Sequence, residues 1–224
     1  MWGRKAKNKI IKNNELNRLH FYQAIQSQTK PHFVTNTFNE VIAMAEDDSY
    51  TAEQKLENIK KFAISLSEYY GFLTYSEDSM ISIKKEIELV QKYAEIEKVA
   101  NPELTVNIKY NEEEIKQMEH MLIPPLIIQP LVNNAVKYSN ITNMDKGKID
   151  VIIKKKGEGC LIVVEDNGDG FVNNTDDGRQ HTGIENIYQR VKSCNGTLRV
   201  INKTDNGGSG TRCEIELFGK NINQ

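Results

Sequence analysis

The hydrophobic residues of this chain change their spacing near Asn101-Pro102, and that change restricts the folds that the chain can form. Before this point, apolar residues recur every three or four positions, which is the spacing of amphipathic helices. The clearest stripe comprises Leu56, Ile59, Ala63, Leu66, Tyr70 and Leu73. From Leu104 to Tyr110, apolar and polar residues alternate instead, which indicates a half-buried strand. We therefore expect a helical first part and a mixed second part.

The first part predicts three helices. A glycine-free stretch from about Ile10 to Ala45 is interrupted only by Pro31, which removes a backbone hydrogen bond and usually kinks a helix. A turn precedes a second helix at about 52–74, and a third helix is expected at about 83–99. Two antiparallel helices with a narrow apolar seam bury little surface alone. Pairing of two copies into a four-helix bundle, and hence a homodimer, is therefore expected.

The second part contains segments of both kinds. Strands are predicted at about 149–155, 160–165, 197–202 and 211–218, and helices at about 112–121, from Pro124-Pro125 onward, and at 184–193. These segments indicate an α+β fold, with an antiparallel or mixed sheet that carries helices on one face. We place the helical region at residues 1–78 and the α+β domain at residues 79–224.

Composition argues against several classes of protein. The chain has 224 residues and a formal net charge of -2, so no strong field favours nucleic acid. Its three cysteines form no CxxC pair, which argues against a zinc site or a disulfide framework and fits a reducing cytoplasm. The longest apolar stretch, 121–132, is broken by prolines and is shorter than the roughly 20 residues of a membrane span. We expect a soluble, cytoplasmic piece, with any membrane anchor of the native chain upstream.

The strongest local motif is Asp166-Asn167-Gly168-Asp169-Gly170, which follows the apolar pair Val163-Val164. A carboxylate at a strand end, here Asp166, can accept a hydrogen bond from an exocyclic amine such as that of adenine. Gly168 and Gly170 permit positive φ and close approach of a ligand to the backbone. A β-turn rich in Asp, Asn and Gly is the alternative interpretation. A calcium loop fits less well, because the spacing of calcium ligands is incomplete.

Three weaker motifs accompany this one. Asn134 and Lys137 share a face of a predicted helix, where an amide oxygen can help to hold Mg²⁺ and an ammonium can meet a phosphate. An ordinary surface helix is the alternative. Gly183 begins a helix, where free N–H groups can bind phosphate or can simply be capped. Gly210-Thr211 opens a strand that would place the Thr211 hydroxyl beside the Asp carboxylate, unless it only forms a hairpin turn.

The order of these motifs resembles the Bergerat-type ATPase fold, which histidine kinases share with gyrase B, MutL and the Hsp90 chaperones. In this resemblance the N-box, the G1 box, the G2 box and the last Gly-Thr motif correspond to Asn134, Asp166–Gly170, Gly183 and Gly210-Thr211. It implies that ATP binds with its adenine at Asp166 and Thr211. It also implies Mg²⁺ at Asn134 and phosphate contacts from Lys137 and Gly183.

The upstream part resembles one branch of these relatives. Residues 26–39, QSQTKPHFVTNTFN, look like the phosphoacceptor stretch of the LytS/YesM-type sensor histidine kinases, whose core reads roughly Q-x-N-P-H-F-L-F-N-x-L-N. Residues 83–138 and 183–191 are also similar to that family, so the resemblance covers about 16–218. It implies that His32 is the phosphoacceptor, since a neutral imidazole is a competent nucleophile near pH 7.

The resemblance implies a two-step reaction. A ring nitrogen of His32 attacks the γ-phosphorus of ATP in line, which gives phosphohistidine and ADP. A lid at about 173–182 closes over the triphosphate during this step. The phosphoryl group then passes to an aspartate on a response regulator, which is the implied partner besides the second copy of the chain.

The sequence departs from the family pattern within the site itself. Asn133 stands before the N-box Asn, where the family usually has Glu. Phe33 follows His32, so no adjacent carboxylate offers a general base, and Gly183 is the one glycine left in the G2 box. Two alternatives therefore stay open. One is a degenerate family member that binds nucleotide and acts mainly as a scaffold or phosphatase for a regulator, and the other is a Bergerat-fold ATPase of another kind.

Overall fold

The computed structural model describes residues 31–75, 80–139, 147–170 and 182–218, and every structural statement below concerns these residues. Its elements, in chain order, are α1 (Pro31–Glu46), α2 (Ala52–Tyr75), β1 (Ile81–Ser82), α3 (Ile83–Ala100), β2 (Thr105–Lys109), α4 (Glu112–Gln117), β3 (Leu122–Ile123), α5 (Gln129–Tyr138), β4 (Lys148–Lys156), β5 (Gly159–Asp166), α6 (Thr182–Ser193), β6 (Thr197–Asn202), a 3-10 turn (Lys203–Asn206) and β7 (Thr211–Leu217).

Helices α1 and α2 are the described helices of the predicted helical region, residues 1–78. The α1 helix begins at Pro31, where the missing N–H is tolerated because the first turn needs no donor. The helix predicted upstream, from about Ile10, lies outside the described residues. The start of α2 is fixed by Thr51 and Gln54, because the side chain of each accepts a hydrogen bond from the backbone N–H of the other.

The inner face of α2, which packs on α3, includes residues outside the predicted stripe. Phe62 and Tyr69 are buried, and the Tyr69 ring lies 6.0 Å from that of Tyr93 between ring centroids. Leu56, which the stripe includes, is 69% exposed, and Ala63 is exposed as well. Leu66 and Tyr70 of the stripe are half-buried against the core, next to the buried aromatic side chains, so the stripe lies along one edge of the buried face of α2.

A five-stranded mixed sheet forms the centre of the second part, in the order β2-β4-β5-β7-β6. Strands β2 and β4 are parallel, and the other neighbours are antiparallel. Ile149, Val151 and Ile153 of β4 are fully buried, whereas Asp150 and Ile152 between them are only half-buried. This alternation shows that one face of β4 is covered, as a sheet with helices on one face requires. The predicted α+β fold is confirmed.

The segment before α5 differs from its prediction. We expected a helix from Pro124-Pro125 onward, but α5 begins at Gln129, and 124–128 form an irregular loop. Leu126 has a φ of 59°, which is unusual for a residue with a branched side chain. The three backbone N–H groups of 126–128 all point at the carboxylate of Glu86 in α3. A distant acidic side chain therefore delays the start of this helix.

Two further features complete the fold. Strands β1 and β3 form a two-residue antiparallel pair, which the sequence did not predict because it is too short to show alternation. Within the described ranges, no helix is long and apolar enough to cross a membrane.

Candidate functional site

Asp166 ends β5 with a side chain that is almost entirely buried, at 6% exposure. Its Oδ1 atom accepts hydrogen bonds from the backbone N–H of Gly168 at 2.9 Å and of Thr211 at 3.1 Å. Burial raises the pKa of Asp166 above its ordinary value, although these two hydrogen bonds act in the opposite direction. Both bonds end on Oδ1, and no described residue is shown bonded to Oδ2. An acceptor at this position suits an external donor such as an amine.

The atoms around Asp166 are packed too closely for a side chain to replace the hydrogen of three nearby glycines. A Cβ atom at Gly168 would lie 2.1 Å from the carbonyl oxygen of Tyr138 at the end of α5. A Cβ atom at Gly210, whose φ is 86°, would lie 2.0 Å from the Asp166 carbonyl oxygen. At Gly170, with a φ of 78°, it would meet the side chain of the residue that ends β6. Three of the predicted glycines therefore bring the ends of β5, β7 and α5 together.

Thr211 lies beside Asp166 as predicted, but the contact differs in kind. We expected the Thr211 hydroxyl to approach the carboxylate, whereas the contact that the structure shows is made by the backbone N–H. The cause is the turn at Gly210, whose positive φ aims the next amide at the strand end. The half-buried Thr211 side chain stands at the first position of β7.

A pair of cations behind this strand end was not predicted. Lys203 donates to the Glu165 carboxylate at 2.7 Å and to the Asp166 carbonyl oxygen at 2.9 Å. Arg212 donates to the same Glu165 carboxylate at 2.9 Å. Burial opposes the charge of Glu165, but these bonds outweigh it and lower its pKa. The ion pairs hold the end of β5 against the turn after β6. Only the strand pairing brings them together, so no local sequence signal could have revealed them.

Helix α5 presents the N-box residues on its less buried side. Asn134 is half-buried and Lys137 is exposed, and the Lys137 ammonium lies 5.1 Å from the centroid of the Tyr138 ring. The opposite side of the helix is apolar and buried. The close approach of Gly168 to the Tyr138 carbonyl places the carboxyl end of α5 beside Asp166. The predicted N-box and G1 box are therefore neighbours in the fold.

Asn133, the residue that departs from the family pattern, has a partner of its own. Its Oδ1 atom lies 3.0 Å from the hydroxyl of Tyr93, which also contacts the carboxylate of Glu97. Burial raises the pKa of Glu97. A polar chain of three side chains thus runs from α3 to α5, and the amide oxygen of Asn133 is the acceptor at its end.

Gly183 lies exposed in the first turn of α6. A Cβ atom added there would meet nothing within 4 Å, so packing within the described residues does not require a glycine. The first N–H groups of a helix have no partner within the helix and can bind an anion. The lid was predicted at 173–182, and all of it except Thr182, the first residue of α6, lies outside what the structure describes. The same holds for the side chain of His32; only the backbone of this residue, in the first turn of α1, is described.

A bound cation would have few protein ligands here. Among the described residues, no group of three or more His, Cys, Asp or Glu side chains is arranged to hold a metal ion. The half-buried Asn134 of α5 carries an amide oxygen. This donor set suits Mg²⁺, which is usually held by one or two protein ligands together with phosphate oxygens and water.

Two family models match this chain. The first, described as histidine kinase, matches residues 21–103, and the second, described as histidine kinase-, DNA gyrase B-, and HSP90-like ATPase, matches residues 124–220. The chain therefore belongs to the histidine kinase family, and its second part is an ATPase domain of the kind that such kinases use. Its resemblance to LytS sensor kinases is borne out by the relatives that it matches.

The sensor protein LytS of Staphylococcus epidermidis is 27% identical over 221 residues, which cover 90% of this chain and 36% of that protein. The sensor histidine kinase/phosphatase LytS of Staphylococcus aureus is 31% identical over 168 residues, which cover 74% and 26%. The Bacillus subtilis protein YwpD is 30% identical over 200 residues, which cover 86% and 69%. The chain thus spans about a third of the length of the LytS proteins.

Among solved structures, the histidine kinase domain of the blue-light activated kinase of Erythrobacter litoralis matches with a TM-score of 0.47 and 17% identity. The match covers 92% of this chain and 93% of that one.

The carboxylate of Asp166 can be tested apart from its structural role. In Asp166→Asn the amide oxygen keeps both backbone hydrogen bonds, but an amide nitrogen cannot accept one from adenine. We expect ATP to bind roughly 10- to 100-fold more weakly in isothermal titration, since an unpaired buried donor costs about 1.5–3 kcal/mol. Equal ATP affinity would contradict this assignment.

The same variant should show a pH-dependent gain in stability. Burial raises the folded-state pKa of Asp166, so the ionised carboxylate destabilises the wild type at neutral pH. Below the unfolded-state pKa of about 3.9 the carboxyl is neutral and the penalty disappears. We expect Asp166→Asn to melt at or above the wild-type temperature at pH 7, and the difference to shrink as the pH falls. A difference in melting temperature that grows as the pH falls would contradict a raised folded-state pKa of Asp166.

Gly183 offers a second test, with Gly71 as its control. Neither position has an atom within 4 Å of an added Cβ, and both lie in helices. Alanine at either position should therefore leave stability unchanged or raise it by up to about 1 kcal/mol. If Gly183 contacts a phosphate, as the resemblance implies, we expect only Gly183→Ala to weaken ATP binding, by about tenfold. If both variants bind ATP like the wild type, Gly183 is only a helix start.

Proposed function

We propose that this chain is the catalytic portion of a LytS-type sensor kinase, which phosphorylates itself on His32 and passes the phosphoryl group to an aspartate of a response regulator. The observation that carries the proposal is the buried acceptor Asp166, enclosed by Gly168 and Gly210, beside the carboxyl end of α5. The division of the chain near residue 79 into a helical phosphoacceptor region and an ATP-binding domain belongs to the same proposal.

The adenine end of ATP is the part that the geometry supports best. Asp166 accepts from the exocyclic amine, while its Oδ1 stays bonded to the backbone N–H groups of Gly168 and Thr211. Because these N–H groups lie just after β5 and at the start of β7, the acceptor is held in place before a ligand arrives. Lys203 supports this placement from behind through the Asp166 carbonyl oxygen.

The phosphate end is formed by α5 and the start of α6. The exposed ammonium of Lys137 offsets phosphate charge, and the N–H groups near Gly183 donate to phosphate oxygens. Mg²⁺, when bound by the phosphates and the Asn134 amide oxygen, would neutralise charge on the triphosphate.

Phosphoryl transfer to His32 needs little covalent work from the protein. A ring nitrogen of the neutral imidazole forms a bond to the γ-phosphorus, the bond from that phosphorus to the bridging oxygen breaks, and ADP leaves. The imidazole proton is lost to water, since Phe33 stands where a neighbouring carboxylate base would otherwise be. Positioning and charge therefore account for most of the rate enhancement.

One observation favours a second candidate. Asn133 replaces the usual Glu and is held by Tyr93, and Gly183 is the single glycine of its motif. A family member with these changes would bind nucleotide and act mainly as a scaffold or phosphatase for its regulator. A Bergerat ATPase of another kind is disfavoured by the histidine kinase match over residues 21–103.

A homodimer through the helical hairpin is part of the proposal. Phe38 and Ile42, one turn apart on α1, are 64% and 52% exposed, and Leu56 and Ile64, two turns apart on α2, are 69% and 50% exposed. Large apolar side chains on a helix pair that already packs inward through Phe62 are typical of a bundle with a second copy. A cytoplasmic location, with any membrane attachment made by other parts of a longer chain, completes the proposal.

The autokinase assignment is tested with labelled ATP and Mg²⁺. We expect the wild type to acquire an acid-labile, base-stable label that is lost in His32→Gln. His120→Gln is the matched control, because this histidine is exposed, lies far along the chain and should not affect labelling. Label that survives in His32→Gln would move the phosphoacceptor elsewhere. Stoichiometric ATP binding without any label would favour the scaffold instead.

The dimer is tested by charge on the outer face of the hairpin. We expect Ile42→Glu combined with Ile64→Glu to sediment as a monomer at concentrations where the wild type is a dimer, because charges cannot be buried unpaired. Leu122→Glu is the control, since this exposed leucine lies in β3, outside the hairpin. A wild type that is monomeric, or a double variant that remains dimeric, would contradict this interface.

A further inference from the structure

A buried carboxylate lies outside the nucleotide site, at the other end of α5. Glu86 of α3 is fully buried. Its Oε2 atom accepts from the backbone N–H of Leu126 at 2.8 Å, and its Oε1 atom accepts from Ile127 at 2.8 Å and from Ile128 at 2.9 Å. Three consecutive amides thus converge on one side chain, in the manner of a backbone anion site that the protein fills itself.

An arginine from α6 meets the same loop. Arg190 is 3% exposed, and its Nη1 donates to the Leu126 carbonyl oxygen at 3.0 Å. Burial lowers the pKa of Arg190 to about 10, while the nearby Glu86 charge acts to raise it. The Nη2 atom has no hydrogen-bond partner among the described residues. The two charged groups therefore face each other across the backbone of residue 126, away from water.

This cluster connects the two helices that form the phosphate end. Helix α5 starts at Gln129, directly after the three bonded amides, and its other end is held by the close approach of Gly168 to Tyr138. Arg190 lies two turns after Gly183 on α6. The loop at 126–128 therefore fixes α5 and α6 against each other. The adenine acceptor is instead held by β5 and β7.

The backbone conformation of Leu126 indicates that Glu86 and Arg190 constrain the loop at 126–128. Leu126 adopts a φ of 59°, which a side chain with a Cβ atom rarely takes, and such a conformation persists only where its surroundings enforce it. Glu86 and Arg190 bind the N–H and the carbonyl of this same residue. Apolar residues of similar size often serve stability as well as buried charged groups do.

We propose that Glu86 and Arg190 are positioning residues for the triphosphate end of the nucleotide site, which they serve by fixing α5 relative to α6. The proposal rests on ATP being the ligand, as proposed above. It makes a prediction that general stabilisation does not. Loss of the cluster weakens the contacts of Asn134, Lys137 and Gly183 with phosphates, and it spares adenine recognition.

Glu86→Gln tests this division. The glutamine amide keeps the volume of the side chain, but its NH₂ group faces an N–H donor where a carboxylate oxygen accepted. We expect the affinity for ATP with Mg²⁺, measured by titration calorimetry on the full chain, to fall at least about tenfold. The affinity for adenosine, measured by ligand-observed NMR, should stay within about twofold.

Two further variants keep the result interpretable. Arg190→Lys retains the charge but loses the guanidinium geometry, and it should shift the ATP-to-adenosine ratio in the same direction. Ile153→Val lies in the core of β4, away from the loop, and should lower the melting temperature without changing that ratio. All affinities are compared at a temperature where circular dichroism shows each variant folded.

The outcomes separate the two proposals. A ratio unchanged in folded Glu86→Gln and Arg190→Lys would overturn the positioning role and leave the nucleotide assignment intact. If those variants lose ATP and adenosine binding to the same extent, and Ile153→Val does too, Glu86 and Arg190 only stabilise the fold and have no positioning role. A wild type that binds neither ligand would overturn the proposed function, and this inference with it.

Discussion

The buried carboxylate of Glu86 is the interaction on which the course of the second part depends. An ionised carboxylate without water is strongly unfavourable unless hydrogen bonds and an opposite charge compensate it. Here three consecutive N–H groups of residues 126–128 and the guanidinium of Arg190 offset part of this cost, although burial still raises the pKa of Glu86. Because the amides are used in this way, the chain cannot be helical there, and α5 starts at Gln129. The position at which α5, the N-box helix, starts and its orientation follow from these hydrogen bonds to Glu86.

Asp166 is the second buried carboxylate, and its surroundings are different. It accepts two backbone hydrogen bonds, both on Oδ1, and the cation nearest to it, Lys203, binds its carbonyl oxygen and the neighbouring Glu165. Burial raises the pKa of both Asp166 and Glu86, but only Glu86 has donors on both oxygens within the described chain. A fully bonded carboxylate organises structure, whereas a half-bonded one at the end of a strand is suited to a ligand.

The sequence predicted the elements whose signals are local. Strand alternation, the Asp-Gly strand end and the order of motifs were sufficient for the α+β fold and for the grouping around Asp166. The start of α5 was wrong because its cause, Glu86, lies 40 residues away. Glu86 nevertheless stands three residues after Ile83 and four before Val90, within the buried stripe of α3. A charged residue in an apolar stripe is a signal of buried pairing that could have been used, and Arg190, three residues after Ile187, is another.

The two ends of the site differ in how strongly the fold constrains them. At the adenine end, glycines at 168 and 210 are required by backbone atoms about 2 Å from any added side chain, so a change there disrupts the fold. At the phosphate end, Lys137 is exposed and Gly183 has open space around it. Substitutions at these two positions are therefore compatible with the fold. Asn133 lies exposed on the same helix as Lys137, with its amide oxygen accepting from the hydroxyl of Tyr93. We therefore expect substitutions at the proposed phosphate end to change the proposed phosphoryl transfer before they change nucleotide binding.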